Sequence, residues 1–237
     1  MGKLVVANWK MNKTIGEAEE FCSHFNKKAD NYIICCSATL IKPVFDCLKN
    51  SNNIGAQNIC AYEEGAYTGE ISAKMVKDAG ANVTILGHSE RRHIFNETND
   101  DLRKKLDIAN KYGLQVIFCV GETLEEHDNI ESVLVNQLKI LTKEDLTNLI
   151  IAYEPVWAIG TGKVATEEDI LVAHKIVKDY VKRNYSSDVK VLYGGSVKPE
   201  NAAEILKLNC VDGVLVGGAS LDPVKFESLI KTANEVL

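Results

Sequence analysis

A handful of side chains in this sequence could move a proton on an anionic substrate. Glu154 stands in Ala152-Tyr153-Glu154-Pro155, between an apolar run and a proline, and His88 stands in Gly87-His88-Ser89-Glu90-Arg91-Arg92. Lys10 closes the run Asn8-Trp9-Lys10 near the N-terminus. Two glycine turns, Gly194-Gly195-Ser196 and Gly217-Gly218-Ala219-Ser220, each follow an apolar run and precede a segment of helical period. Taken singly, these have ordinary readings: a capping or surface carboxylate, a hydrogen-bonded histidine, a solvated lysine, a plain turn. Taken together, a carboxylate, an imidazole, an ammonium and backbone N–H groups able to cradle a dianion suit proton abstraction beside a carbonyl.

These groups can act together only if the elements that carry them converge. Short apolar runs predict strands at residues 3–9, 31–36, 53–57, 82–87, 115–119, 148–153, 189–193 and 212–216. Helical period predicts helices near 14–28, 42–49, 71–79, 96–111, 130–141, 166–183, 199–207 and 222–235. Strict alternation of strand and helix predicts a parallel sheet, and a count of eight favours a closed (β/α)8 TIM barrel over a doubly wound open sheet. Runs such as Val116-Ile117-Phe118-Cys119-Val120 are apolar throughout, as expected of strands covered on both faces. No Pro/Gly/Ser-rich linker interrupts the pattern, so residues 1–237 are expected to form a single domain. In a barrel, chemistry lies past the C-terminal ends of the strands, with a frequent phosphate site after strands 7 and 8. The polar residues above fall at those ends.

Composition narrows the function classes. With 46% hydrophobic and 25% charged residues, the 237-residue chain can bury a full core. A net charge of -6 and a pI near 5.5 argue against general nucleic-acid binding, so an anionic substrate must meet a local positive site. The N-terminus lacks a signal-peptide pattern and no apolar run is long enough to span a membrane, so a cytoplasmic location is expected. Seven cysteines lack the paired spacing of zinc sites, and neither a metal site nor a disulfide is expected. His24, His93, His127 and His174 form no ligand constellation and read as surface or packing residues.

Multi-residue motifs now identify a family resemblance. Ala7-Asn8-Trp9-Lys10-Met11-Asn12, Gly69-Glu70-Ile71-Ser72, Leu86-Gly87-His88-Ser89-Glu90-Arg91-Arg92, Ala152-Tyr153-Glu154-Pro155-Val156-Trp157-Ala158-Ile159-Gly160-Thr161-Gly162 and Tyr193-Gly194-Gly195-Ser196-Val197 resemble, in order, the patterns of the triose-phosphate isomerase family. The resemblance implies a cofactor-free enzyme interconverting two triose phosphates, in glycolysis and gluconeogenesis. It implies that Glu154 is the base, that His88 acts as a neutral electrophile beside a helix start near Ser89, and that Lys10 and Asn8 contact the substrate oxygens. It further implies that N–H groups of Gly160, Ser196, Gly217 and Gly218 hold the phosphate, that Glu90 partners Lys10, and that residues 155–163 form a closing lid. Cys119 and Glu122 match positions behind the catalytic carboxylate. The 57–70 segment resembles a loop that enters a neighbouring subunit, which implies a homodimer with Thr68 near the partner's site.

The sequence departs from the family pattern at Cys35-Cys36-Ser37-Ala38-Thr39-Leu40, where a proline is usual. Cys210 stands where an acidic residue is common, Lys178 where its arginine partner is expected, and the chain is shorter around 127–131 and 184–189. A metal-dependent sugar-phosphate epimerase and a barrel kept as a binding protein stay open as alternatives.

Overall fold

The all-apolar strands follow from a sheet with two buried faces, seen in a computed structural model that describes residues 2–26, 29–160 and 163–236. Eight parallel strands close into a barrel: β1 (Leu4–Asn8), β2 (Tyr32–Cys36), β3 (Ile54–Ala56), β4 (Val83–Leu86), β5 (Gln115–Val120), β6 (Leu149–Tyr153), β7 (Lys190–Tyr193) and β8 (Gly213–Val216). β1 pairs with both β2 and β8, Val6 standing opposite Ile33 on one side and Leu215 on the other. Alternate residues turn inward, so Val6, Ile33, Ile85, Ile117, Ile150 and Leu215 fill the barrel interior. Their neighbours, such as Val5, Ala7, Phe118 and Ile151, pack outward against the helices. The closed barrel displaces the open-sheet alternative.

The helices are α1 (Ile15–His24), α2 (Ala38–Leu48), α3 (Ala73–Asp78), α4 (Ser89–His93), α5 (Asn99–Lys111), α6 (Ile130–Leu138), α7 (Glu167–Tyr185), α8 (Pro199–Lys207) and α9 (Pro223–Glu235). Among the described residues there are thus nine, where eight were expected. The segment expected at 96–111 starts at Asn99 because Thr98 and Asp101 form a capping box there, and a separate short helix, α4, precedes it. α2 starts at Ala38 and runs through Pro43, against an expected start at 42. Its buried face, Leu40, Ile41, Val44 and Leu48, outweighs the one backbone bond that proline removes. No helix of the described residues is long and apolar enough to cross a membrane.

Charge placement ties helices to strands. Lys178 on α7 finds its carboxylate two residues beyond Cys210: its Nζ lies 2.8 Å from Asp212 Oδ2, which also accepts the Val191 N–H at 2.8 Å. The cross-link expected at this corner therefore survives with a different acid. Asp145, in the turn leading into β6, has a fully buried side chain that accepts two bonds from Arg103 of α5, at 2.6 and 2.9 Å. Asn110 and the Thr142 N–H add two more at 2.6 Å. Burial alone would raise the Asp145 pKa, but Arg103 and the Thr142 bond hold it below the ordinary value.

Two stability tests follow from these packed groups. Asp145→Ala strands Arg103 and the donors around it and is expected to lower unfolding stability by about 3–5 kcal/mol in urea titration. A loss below about 1 kcal/mol would show that the hub is dispensable. The second concerns His174, fully buried on α7, whose Nδ1 lies 3.1 Å from the Cys210 carbonyl while Nε2 has no hydrogen-bond partner. Burial pushes its pKa down from 6.5 to about 4. The unfolded chain then takes up a proton that the folded one refuses, so this group's contribution is full above pH 6.5 and falls away toward pH 4. The total is about 3 kcal/mol. His174→Gln is expected to flatten stability over that window, and an unchanged slope would rule His174 out as its source.

Candidate active site

Glu154 follows β6 directly, and glycines on both neighbouring strands make room for it. A Cβ on Gly121, past the end of β5, would lie 1.8 Å from the Glu154 carbonyl oxygen, and one on Gly194 would lie 3.0 Å from its Cγ. Gln137 of α6 clamps Gly121 in place, its side-chain amide exchanging two 2.8 Å bonds with the Gly121 N–H and carbonyl. The Glu154 N–H donates to the Val120 carbonyl at 2.8 Å. The carboxylate is buried, with Oε2 accepting the Ser89 N–H at 2.8 Å and Oε1 lying 2.9 Å from His88 Nε2. Burial favours the neutral acid, but His88, the Ser89 bond and Lys10 together hold the carboxyl below its ordinary pKa. Glu154 thus rests ionised with both oxygens occupied.

His88 is the N-cap residue of α4, and its ring continues the role: Nδ1 accepts the Glu90 N–H at 3.2 Å. In the neutral ring the proton must then sit on Nε2, where it donates to Glu154. The helix terminus opposes protonation at Nδ1, as expected from the sequence. The expectation needs correction at the other nitrogen. Burial disfavours the imidazolium, but the Glu154 carboxylate and its hydrogen bond outweigh burial and hold the pKa above the ordinary value while the two side chains touch. Only movement of Glu154 away from the ring removes that influence.

Lys10 adopts a left-handed backbone conformation, with φ of 52°, at the end of β1. The turn is held from both sides: the Lys10 N–H donates to Asn8 Oδ1 at 3.1 Å, and Gln57 Nε2 donates to the Lys10 carbonyl at 2.9 Å. Its Nζ donates to Glu90 Oε1 at 2.7 Å, the partnership that the sequence implied. Glu90 thus meets both basic side chains, its backbone N–H donating to the His88 ring and its carboxylate accepting from Lys10. Gln57 and Gln137 carried no chemical signal in the sequence, because each works on backbone atoms.

Asn8, Lys10, His88 and Glu154 line one cavity of about 280 Å³ together with the glycine turns. Its far wall is Gly160, Ser196, Gly217 and Gly218, so all eight residues singled out in the sequence face a common space. Gly160 has φ of 70°, a conformation natural to glycine. Ser196 Oγ donates to the Ala158 carbonyl at 2.7 Å, joining the β7 turn to the 155–163 segment. Thr161 and Gly162 of that segment lie outside the described residues. A carboxylate facing an imidazole, an ammonium and a wall of glycine turns can accept a carbon-bound proton from a phosphorylated carbonyl compound. Among the described residues, no group of three or more His, Cys, Asp or Glu side chains is placed to hold a metal ion.

Comparison with known proteins agrees with this geometry. The family model described as triosephosphate isomerase matches residues 3–233. A triosephosphate isomerase of Nitratidesulfovibrio vulgaris is 44% identical, over 97% of this chain and 99% of the relative. One of Francisella philomiragia is 40% identical over 100% of this chain and 99% of its own length. The crystal structure of triosephosphate isomerase from Bartonella henselae superposes with a TM-score of 0.87 at 38% identity, covering 98% of this chain and 99% of that one. With its sequence and its closed barrel both matching over nearly its whole length, the chain belongs to the triosephosphate isomerase family.

Proposed function

We propose that this chain interconverts dihydroxyacetone phosphate and D-glyceraldehyde 3-phosphate, with Glu154 as the base and His88 as the electrophile. The observation that carries the reading is the 2.9 Å contact between Glu154 and His88 in a cavity walled by Lys10 and two glycine turns. The substrate phosphate sits against the N–H groups of Gly160, Ser196, Gly217 and Gly218, which supply local positive potential in an acidic chain. The substrate carbonyl oxygen takes the Nε2–H of His88 and the side chains of Lys10 and Asn8. Glu154 then gives up His88 and turns to the carbon-bound proton. Leaving the groups that lower its pKa makes it a stronger base at the moment it is needed. The proton goes from C1 to the carboxylate and back to C2, while His88 moves protons between the two oxygens of the enediolate.

The same reading places a second copy of the chain over the site. Met11 and Phe95 are 97% and 66% exposed beside Lys10, rimming a second cavity of about 410 Å³ that also touches Asn8 and His88. Exposed apolar groups clustered next to a catalytic lysine favour an interface. The 57–70 loop supplies a rigid insert of matching chemistry: Tyr62 and Tyr67 stack at 4.1 Å, and Glu63 is held by Lys111 and Tyr112. We infer a homodimer in which Thr68 of each loop braces the other's Lys10 and Asn8. Seven cysteines without a disulfide among the described residues support action in the reducing cytoplasm.

Glu154→Asp retracts the carboxylate by one methylene and is expected to lower kcat about 100-fold with KM little changed, in a coupled assay run with a metal chelator present. Wild-type kcat in that variant would remove Glu154 from the role of base. Deleting residues 64–69 is expected to yield a folded monomer of far weaker activity, read by sedimentation and turnover on the same sample. A fully active monomer would overturn the inserted-loop reading.

A further inference from the structure

We propose that His127 is a positioning residue whose imidazolium staples the entrance of the 155–163 lid to the helix that follows it. The proposal rests on reading that segment as a lid. His127 lies in the 3-10 turn Leu124–Asn129 after β5, with Nδ1 3.1 Å from Glu122 Oε1 and Nε2 3.7 Å from Asp169 Oδ1. Its ring stands edge-on to Trp157, centroids 5.3 Å apart. Trp157 belongs to the first turn of the lid and donates its indole N–H to the same Glu122 oxygen at 2.8 Å. Val156 adds a backbone bond to the Glu122 carbonyl at 3.0 Å. Asp169 stands in the first turn of α7, just beyond the far end of the lid, and its other oxygen is committed to the Thr166 N–H and hydroxyl. The ring therefore joins the element that anchors the lid's start to the element that receives its end.

The two carboxylates decide which form of the ring fits. Either neutral tautomer turns a nitrogen lone pair toward an acidic oxygen, at Glu122 or at Asp169, and only the imidazolium presents N–H to both. Glu122 is fully buried, accepts Tyr153 OH at 3.1 Å on the same oxygen, and leaves Oε2 without a hydrogen-bond partner. Among the described residues, His127 is the one basic side chain within ion-pair distance of it. The groups facing the ring are thus Glu122 from the β5 loop, Asp169 from α7 and the Trp157 indole from the lid. Glu126, its neighbour, is turned back onto the Thr123 N–H. His127 is a third exposed and open to exchange with solvent protons. Losing its proton sets a lone pair against one carboxylate and loosens the join between the Trp157 turn and α7.

The test follows Trp157 by 19F NMR in protein labelled with 5-fluorotryptophan, alongside 15N detection of the His127 ring and kcat, across the pH range in which imidazoles change charge. In the wild type, the Trp157 exchange rate and kcat are expected to change together by about threefold at the His127 midpoint, the scale of a partly exposed ion pair. His127→Arg, a permanent cation, is expected to hold the low-pH lid behaviour throughout, and His127→Gln the high-pH behaviour. A Trp157 signal that ignores the His127 titration, or a step that persists in the Arg variant, overturns the proposal. Should the Gln variant not fold, the wild type and the Arg variant decide. Inorganic phosphate separates the two readings. A Trp157 resonance unmoved by phosphate sinks the lid and the staple with it, whereas one that responds to phosphate and not to His127 sinks the staple alone.

Discussion

The pairing of β1 with β8 is the constraint on which the site depends. Asn8 and Lys10 stand at the end of the first strand, and Gly217 and Gly218 at the end of the last, about as far apart in sequence as the chain allows. The register that sets Ala7 opposite Val216 makes them neighbours. The same closure carries β4, β5 and β6 round so that His88, Gly121 and Glu154 meet at one rim. The carboxylate of Glu154, the imidazole of His88 and the ammonium of Lys10 come from three different strands, each within two residues of its strand's end. A fault in closure would separate the ammonium and the glycine turns before it disturbed any single strand.

Electrostatics at that rim are arranged so that charged groups hold one another in reserve. Glu154 is kept ionised by His88 and Ser89, the His88 ring accepts the Glu90 N–H, and the Glu90 carboxylate holds Lys10. This chain of contacts gives the buried carboxylate a partner that is itself held in place, where an unpartnered charge would be costly in an apolar pocket. It also couples the groups. In the mechanism proposed above, a substrate oxygen that takes the His88 hydrogen bond displaces Glu154, so that binding and base activation are a single rearrangement.

Much of this was legible in the residues because strand ends announce themselves: an apolar run stops, and a polar or glycine-rich motif begins. Glu154, His88, Lys10 and both glycine turns were found that way, and the structure brings all of them to one cavity. Less visible were features that depend on tertiary packing. α2 starts earlier than the local pattern suggests: Pro43 reads as a break, while the apolar face that overrides it is recognisable only once the barrel is there to bury it. α4 is too short for any periodicity to reveal. The charge preference of His88 was read from the helix beside it, and Glu154, 66 positions on, reverses the balance at its other nitrogen. Gln137 and Gln57 support the site through backbone contacts, which leave no mark on residue type.

The order of the strands also sets a timetable for a chain leaving the ribosome. β1 and β2 can pair early, but the outer edge of β1 stays open until β8 has been made. At about 5–20 residues per second, the roughly 200 residues between them take on the order of 10–40 s. Through that interval the first strand presents unpaired N–H and C=O groups beside an apolar surface, the condition under which nascent chains associate with one another. Nascent chains of this protein are therefore exposed to chaperone capture or misassembly until β8 is made, and the site is assembled only with that strand.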